Sequence, residues 1–423
     1  MRVAAATLLL IMVSIDVSRV AAQDPDEDDA EDRVRQDEDD DEPAPVRRDR
    51  RGRAARGQDR DQDQPTQEAP PAPGLETLLR VRLEASPAAQ AAVLGRMAFV
   101  PLRNGRLVRI DLDSGRSDGS TPVEATHAPA AGDGLVFVVS AEALTAFDPS
   151  GTARWSVPVA GGFATAPLWD TGWLIASTAG GEVMGIRARD GQVLWTRHVG
   201  APASALPAIA GDRLYVPLRD GRLVALELLT GAVAWERPLG GQVGAPLALD
   251  DRVFVGTSGK HFYCLSTSDG KGRWKFRVGG SITGAPVVDT RHVYVAALDN
   301  VLRALNRFSG SLAWEAGLPF RPLGGPLMLG DVVFVSGVGP EANGYSAADG
   351  RLALQHSGTR DLVEGVAPQS IPNARLPELS RVLVFTRPPD PELQLLQRRL
   401  EVPVEPLREM IGVPVPIAPP PER

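Results

Sequence analysis

The stretch "DGQVLWTRHVG", Asp190–Gly200, has a counterpart forty residues later in "TGAVAWERPLG", Thr230–Gly240. Each begins with a two-residue turn that ends in glycine, places a tryptophan four residues after that glycine and continues as a short alternating run. The chain has 423 residues and 7 tryptophans. A pattern that returns at a fixed distance in such a chain indicates an internal repeat, and a repeat decides the fold class.

The same spacing extends along most of the chain. Successive tryptophans of this pattern lie 40, 40, 39 and 40 residues apart, at Trp155, Trp195, Trp235, Trp274 and Trp314. The glycines that precede them by four residues are Gly151, Gly191, Gly231, Gly270 and Gly310. Gly115 and Gly350 extend the glycine series, with Gly119 and Leu354 where the tryptophan would stand. We therefore predict seven complete units.

Each unit has the residues of a small antiparallel sheet. Asp, Ser or Thr followed by glycine is typical of a turn that needs a positive φ. Alternating runs such as "RLYVPL", Arg213–Leu218, and "GRLVALEL", Gly221–Leu228, predict strands. A proline recurs where the first strand of each unit begins, for example Pro167 and Pro207. Units of about 40 residues with four strands are the signature of β-propeller blades.

The two ends of the repeat region predict one further blade. Upstream, Gly74–Ala89 keeps the spacing, with Leu78 in the tryptophan position. Downstream, "VAPQSI", "RVLVFT" and "ELQLLQRRL" within Val366–Leu400 predict three strands. Pairing of N-terminal with C-terminal strands would close an all-β, eight-bladed propeller and remove open sheet edges. The alternative is a seven-bladed ring with these segments as caps.

Composition divides the chain into four parts. Residues 1–22 have a basic Arg2, a short apolar run and Val20-Ala21-Ala22, which is typical of a cleaved signal peptide and too short for a membrane span. Residues 23–73 are highly charged and predict a disordered linker. Residues 74–400 form the propeller, and residues 401–423 are a proline-rich tail that we expect to be disordered.

No residue pattern predicts a catalytic, cofactor-binding or metal site. The net charge of -8 argues against a nucleic-acid partner. Cys264, the single cysteine, stands six residues before a turn glycine, where other units have Thr145, Gly185, Ala225, Ala304 and Gly344, so we interpret it as a packed small residue. The five histidines lack ligand spacing and lie in different units, at His127, His198, His261, His292 and His356. Trp169 and Trp173 are expected to pack locally or to contact a partner.

The repeat resembles the pyrroloquinoline-quinone-like propeller family, in which a small residue, a turn ending in glycine and a tryptophan four residues later lock adjacent blades. Ala225, Thr230, Gly231 and Trp235 carry this resemblance, as does the equivalent set in the unit of Trp314. It implies that the five tryptophans and the five glycines before them dock blade on blade.

Two branches of that family imply different functions. The quinone-dependent dehydrogenases bind quinone and calcium, and many have a disulfide between adjacent cysteines, which a chain with one cysteine cannot form. The branch of the outer-membrane assembly lipoprotein BamB is similar in size and export, although no lipid-attachment cysteine follows the signal here. We therefore expect an exported, periplasmic or secreted, non-catalytic monomer that binds envelope proteins without a cofactor. The alternatives are a degenerate quinone- and calcium-dependent dehydrogenase and a small-ligand sensor.

Overall fold

The computed structural model describes residues 74–357, 361–362, 369–371 and 381–398. Within these ranges the chain forms strands and no helix. The strands pair into eight antiparallel sheets of four strands each, which are the blades of one propeller. The predicted all-β, eight-bladed fold is therefore confirmed, and the seven-bladed alternative is wrong.

Blades 1 to 4 follow one another along the chain. Blade 1 consists of β2 Ala92–Leu94, β3 Met97–Leu102, β4 Arg106–Asp111 and β5 Ser117–Pro122. Blade 2 consists of β6 Ala130–Gly132, β7 Leu135–Val139, β8 Ala143–Phe147 and β9 Ala153–Pro158. Blade 3 consists of β10 Leu168–Asp170, β11 Trp173–Ser177, β12 Glu182–Arg187 and β13 Val193–His198. Blade 4 consists of β14 Ala208–Ala210, β15 Arg213–Pro217, β16 Arg222–Glu227 and β17 Val233–Pro238.

Blades 5 to 7 continue this order, and blade 8 joins the two ends of the described chain. Blade 5 consists of β18 Leu247–Leu249, β19 Arg252–Gly256, β20 His261–Ser266 and β21 Gly272–Arg277. Blade 6 consists of β22 Val287–Val288, β23 His292–Ala297, β24 Val301–Asn306 and β25 Leu312–Gly317. Blade 7 consists of β26 Leu327–Leu329, β27 Val332–Ser336, β28 Glu341–Ser346 and β29 Leu352–Ser357. Blade 8 consists of β1 Leu75–Arg82, β30 Gln369–Ile371, β31 Arg381–Phe385 and β32 Glu392–Arg398.

The hydrophobic core lies between blades. In one cluster, Ile175 and Val183 of blade 3 pack with Leu214 and Val224 of blade 4, and Trp195 closes the outer end. The second and third strands of a blade are covered on both faces by neighbouring blades, so their residues are apolar almost without interruption. The prolines of blades 2 to 7 stand one residue before the first strand, as Pro167 does before β10.

Blade 8 closes the ring by joining the two ends of the propeller. β1 pairs antiparallel with β32. One core cluster joins blade 8 to blade 1, and another joins it to blade 7. Leu78 does not take the tryptophan position as predicted, because a register shift between Thr77 and Leu79 leaves it exposed. Leu79 instead packs against Gly115, where a Cβ would lie 2.7 Å from its Cδ1.

The predicted signal peptide, charged linker and proline-rich tail lie outside the described residues. Among the residues that are described, no helix is long and apolar enough to cross a membrane.

Candidate functional site

The five repeat tryptophans lie in the fourth, outermost strand of blades 2 to 6. Each indole N–H donates a hydrogen bond to a backbone carbonyl of the following blade. The bonds measure 3.0, 2.8, 2.9, 3.3 and 3.0 Å, from Trp155 to Ala188, Trp195 to Leu228, Trp235 to Thr267, Trp274 to Arg307 and Trp314 to Ala347. The tryptophans therefore connect consecutive blades around the ring.

Each tryptophan also packs against the turn glycine of the next blade. A Cβ on Gly231 would lie 2.5 Å from the ring of Trp195, and the same glycine has a φ of +67°. The position needs glycine for two reasons, because a side chain would meet the indole and a positive φ strains other residues. The equivalent pairs are Trp155 with Gly191, Trp235 with Gly270, Trp274 with Gly310 and Trp314 with Gly350.

Blade 1 fills the same space with a different pair of residues. Gly119 stands in the tryptophan position, and Arg109 from the adjacent strand β4 occupies the volume beside it. The guanidinium of Arg109 donates to the Asp118 carbonyl at 2.7 Å and to the Thr121 hydroxyl at 3.2 Å. It lies against Gly151 of blade 2, whose Cβ would be 2.3 Å from Nη1. Gly151 therefore contacts an arginine rather than a tryptophan.

The small residue of the repeat lies opposite the tryptophan, in the third strand. Cys264 is opposite Trp274, as Ala225 is opposite Trp235. The buried Cys264 thiol has its pKa raised to about 12 by loss of solvation. A thiol with so high a pKa is unreactive, because only the thiolate attacks.

Blade 2 departs from the predicted position of this small residue. Ala146, not Thr145, lies opposite Trp155. The connection from Ala146 to Trp155 is one residue shorter than the connection from Gly185 to Trp195. The shift turns Thr145 to the other face of the sheet, where its hydroxyl lies 3.0 Å from that of Ser156.

The five histidines are not brought together. They lie before β6 and in β13, β20, β23 and β29, in five different blades. Within the described residues no group of three or more His, Cys, Asp or Glu side chains is arranged to hold a metal ion. The Nδ1 atom of His292 lies 3.7 Å from the carboxylate of Asp289. The same carboxylate accepts a 2.6 Å hydrogen bond from the Tyr294 hydroxyl, so these three side chains form a local polar cluster.

The two tryptophans outside the repeat pattern have packing positions. Trp169 of β10 packs against Gly132 of blade 2, and its indole donates to Asp133 at 3.2 Å. Trp173 is half-buried and lines a groove of about 360 Å³ with Arg187 and Leu194. Trp169 therefore packs blade 3 against blade 2, and Trp173 packs against the core cluster that blades 3 and 4 share.

A larger groove, of about 590 Å³, separates the outer parts of blades 4 and 5. We call it the basic groove. It is lined by Arg237, Pro238, Leu239, Tyr263, Leu265 and the segment 270–275. Its apolar part is made by Leu239, Tyr263 and Leu265, and the Tyr263 hydroxyl donates to the Leu239 carbonyl at 2.7 Å.

Four cationic side chains surround the basic groove. Arg237 donates to the Gly270 carbonyl at 3.2 Å, while Lys271 and Arg273 form ion pairs of 3.0 and 2.7 Å with acidic residues of blade 5. The fourth, Lys275, has no carboxylate within ion-pair distance in the part of the chain described. The backbone N–H of Lys271 and its ammonium lower the pKa of Asp269 to about 2. The groove is therefore positively charged at neutral pH.

The basic groove is absent from the sites predicted from the sequence. Its signal is the run "KGRWKFR", Lys271–Arg277, which has four cations and no acidic residue in a chain of net charge -8. Trp274 lies in the middle of that run, so the run also matches the repeat pattern.

Residues 103–247 and 238–365 match the family described as outer membrane protein assembly factor BamB, and together they span more than half of the chain. A relative of that name from Nitrosomonas eutropha is 25% identical over 218 residues, 47% of this chain and 53% of its own length. Another, from Bordetella pertussis, is 27% identical over 286 residues, 63% of this chain and 74% of its own length. The chain thus spans about half of the first relative.

Two solved structures share the fold. BamB from Moraxella catarrhalis has a TM-score of 0.64 at 19% identity, covering 76% of this chain and 99% of its own. Quinohemoprotein alcohol dehydrogenase from Comamonas testosteroni has a TM-score of 0.62 at 13% identity, covering 76% of each chain. At these identities the structures show the fold alone, whereas the sequence match over 103–365 shows the family. The chain belongs to the family of the outer membrane protein assembly factor BamB.

Proposed function

We propose that this chain is an exported, non-catalytic scaffold that binds other envelope proteins during outer-membrane protein assembly. The match of residues 103–365 to the BamB family carries the proposal. The relative named outer membrane protein assembly factor BamB from Bordetella pertussis aligns over 74% of its own length. The predicted signal peptide at residues 1–22 supports export to the periplasm or beyond.

The packing of the ring supports the scaffold role. Each blade is fixed to the next by a core cluster. At seven of the eight junctions a tryptophan, arginine or leucine of one blade also contacts a glycine of the next. Such a ring presents surface residues on a rigid frame, so binding loses little conformational entropy. The closed ring also supports a monomer, because no blade needs a second chain to complete its sheet.

The proposal includes the absence of a bound cofactor. Cys264, the single cysteine, is fully buried in β20. Because it is the single cysteine of the sequence, it has no neighbouring cysteine with which to form the disulfide that the dehydrogenase resemblance implies. The quinone hypothesis is tested by titrating the mature protein with pyrroloquinoline quinone and calcium. We expect no change in protein-bound absorbance as quinone is added, and no turnover of alcohols or sugars. Binding of one quinone per protein, seen by absorbance and accompanied by turnover, would overturn the non-catalytic role.

The scaffold role is tested by affinity purification after brief crosslinking in living cells. The tagged chain of residues 1–423 is compared with a tagged, exported protein of unrelated fold. We expect specific enrichment of outer-membrane assembly proteins with the tagged chain. Size-exclusion chromatography of the purified complex should give a mass that contains one copy of this chain. A second purification without residues 23–73 measures whether the charged segment contributes to partner binding. Equal recovery of assembly proteins with the unrelated control would contradict the proposal.

A further inference from the structure

The outermost strand of blade 5 differs from its two neighbours in every outward-facing position. The second, fourth and sixth residues of each of these three outermost strands are exposed and lie on one face. In β21 these are Arg273, Lys275 and Arg277. In β17 they are Ala234, Glu236 and Pro238, and in β25 they are Ala313, Glu315 and Gly317. Because the blades are otherwise built alike, packing does not require this row of cations.

In the described part of the chain, the neighbouring blades pair the exposed charges of their outermost strands internally, whereas of the three exposed cations of β21 only Arg273 is paired, with Asp251 at 2.7 Å. Glu315 lies opposite Arg303 in the sheet of blade 6 and pairs with it at 3.4 Å. At the same position of blade 5, Lys275 lies opposite Tyr263, which carries no charge at neutral pH. Within the described residues, neither Lys275 nor Arg277 has a carboxylate within ion-pair distance. Two exposed cations of β21, Lys275 and Arg277, therefore lack a carboxylate partner among the described residues.

The backbone of β21 is also open on its outer side. β21 is the last strand of its sheet. Val278 donates to the Lys260 carbonyl at 3.0 Å. Since ladder hydrogen bonds alternate along an antiparallel strand, the N–H and C=O groups of Lys275 and Arg277 face away from β20. β21 contains no proline, so each of its residues keeps a donor, unlike β17, which ends in Pro238.

We propose that the basic groove and β21 bind an extended, acidic segment of a partner protein, which adds to blade 5 as a fifth strand. Alternate residues of a strand lie about 7 Å apart on one face. A partner with Asp or Glu at alternate positions therefore places its carboxylates opposite Arg273, Lys275 and Arg277 while its backbone pairs with the open edge.

The charge of β21 selects this occupant over a second copy of the chain. Two β21 strands side by side would place three cations against three cations, and like charges directly opposite destabilise a pair. A row of cations along a single strand, beside a groove with an apolar floor, matches a peptide better than a broad lipid surface. This inference goes beyond the proposed function, because it concerns one surface and is measured on the purified protein.

The probe is a capped, fluorescent peptide of sequence Glu-Thr-Glu-Val-Glu-Thr-Glu, titrated with the full chain by fluorescence anisotropy. We expect saturable binding that weakens as salt is raised from about 50 to about 500 mM, because added ions screen exposed charges. The double variant K275E/R277E should weaken binding at least about tenfold. The control variant R154E reverses a cation at the Arg273-equivalent position of blade 2 and should leave the affinity unchanged.

Two further arms separate strand pairing from general attraction of charge. A peptide of the same sequence with N-methylated alternate residues keeps its carboxylates but cannot pair with β21, and it should bind at least about tenfold more weakly. Thermal melting of K275E/R277E should match that of the original protein, and K275T/R277T, which keeps β-forming residues, should also bind weakly.

Equal affinity for the original protein and a correctly folded K275E/R277E would overturn the proposal. Equal affinity for the N-methylated peptide would overturn the strand addition. Binding to phosphatidylglycerol vesicles without binding to the peptide would assign the surface to lipid instead. None of these measurements uses an assembly partner. They therefore test the peptide surface even if the proposed assembly function is wrong.

Discussion

The indole of Trp195 packs so closely on Gly231 of the next blade that a Cβ on that glycine would lie 2.5 Å from ring carbon Cε3. The same indole donates a 2.8 Å hydrogen bond to the carbonyl of Leu228, three residues earlier. The Trp195 side chain therefore holds the turn of the next blade by packing against its glycine and by hydrogen bonding to its backbone. This pairing of a large with a minimal residue explains why the two recur together along the chain.

Replacing Trp195 with alanine should lower the free energy of unfolding by about 3–5 kcal/mol, as large-to-small core substitutions do. The loss combines buried aromatic surface with an unpaired Leu228 carbonyl. Urea unfolding followed by far-ultraviolet circular dichroism measures it. Leu194→Ala is the control, because that neighbouring side chain is exposed and should change stability by less than about 1 kcal/mol. An unchanged midpoint for Trp195→Ala would contradict the assigned packing.

Gly231→Ala should cost more than the same change at Gly211. Both glycines have positive φ, +67° and +60°, but a Cβ at Gly211 meets nothing within 4 Å. Gly211→Ala should therefore cost only the backbone strain, about 1–2 kcal/mol. Gly231→Ala should add about 1–3 kcal/mol of overpacking against Trp195.

A double-mutant cycle tests the cause of that difference. In the Trp195→Ala background, Gly231→Ala should lose its excess cost and resemble Gly211→Ala, because the ring that it meets is gone. Equal costs of Gly231→Ala in both backgrounds would show that backbone strain alone makes glycine necessary there.

Arg109→Ala should lower the stability of the propeller although Arg109 is a charged residue near the surface. Its guanidinium substitutes for the missing tryptophan of blade 1 and forms hydrogen bonds of 2.7 and 3.2 Å. We expect a loss of about 1.5–3 kcal/mol, the range for hydrogen bonds that involve a charged group. Arg116→Ala, at an exposed position of the same blade, should stay within about 0.5 kcal/mol. The two variants are compared by thermal unfolding, and similar melting temperatures would contradict the role of Arg109.

Cys264 should resist alkylation in the folded protein. Its thiol is buried and has a pKa raised to about 12, so at pH 8 the thiolate is about one part in ten thousand. The folded state favours the protonated Cys264 thiol, because burial raises its pKa from near 9 to about 12. This thiol therefore stabilises the fold fully below pH 9, and that stabilisation is lost as the pH rises towards 12. Iodoacetamide labelling followed by mass spectrometry should track unfolding across a urea titration. Rapid labelling without urea would contradict the burial.

The number of blades was predictable because one residue pair recurs at a constant distance. The contact of a tryptophan with a glycine of the next blade needs both residues in fixed places at the five junctions from blade 2 to blade 7, so the packing is visible in the sequence as a constant spacing. Blade 1 and the N-terminal strand were harder, because Arg109 and Leu79 satisfy the same contact with different chemistry. The bulge beside Leu78 moves the contact by one residue, and no local signal in the sequence marks it.

The repeat spacing does not reveal the basic groove. The spacing reflects residues that the units share, whereas the groove depends on residues that differ between units, such as Lys275 and its counterpart Glu315. The four cations of Lys271–Arg277 are visible in the sequence. Their exposure on an edge strand beside an apolar floor follows only from the position of blade 5 next to blade 4.

The proposed assembly function is tested most directly by measuring folded outer-membrane β-barrel proteins in cells that lack this chain. Folded barrels are distinguished from unfolded ones by their mobility in unheated electrophoresis samples. We predict that deletion lowers the folded fraction and that the full-length chain restores it, whereas a Trp195→Ala chain restores it less at elevated temperature. Unchanged levels of folded barrels after deletion would contradict the account.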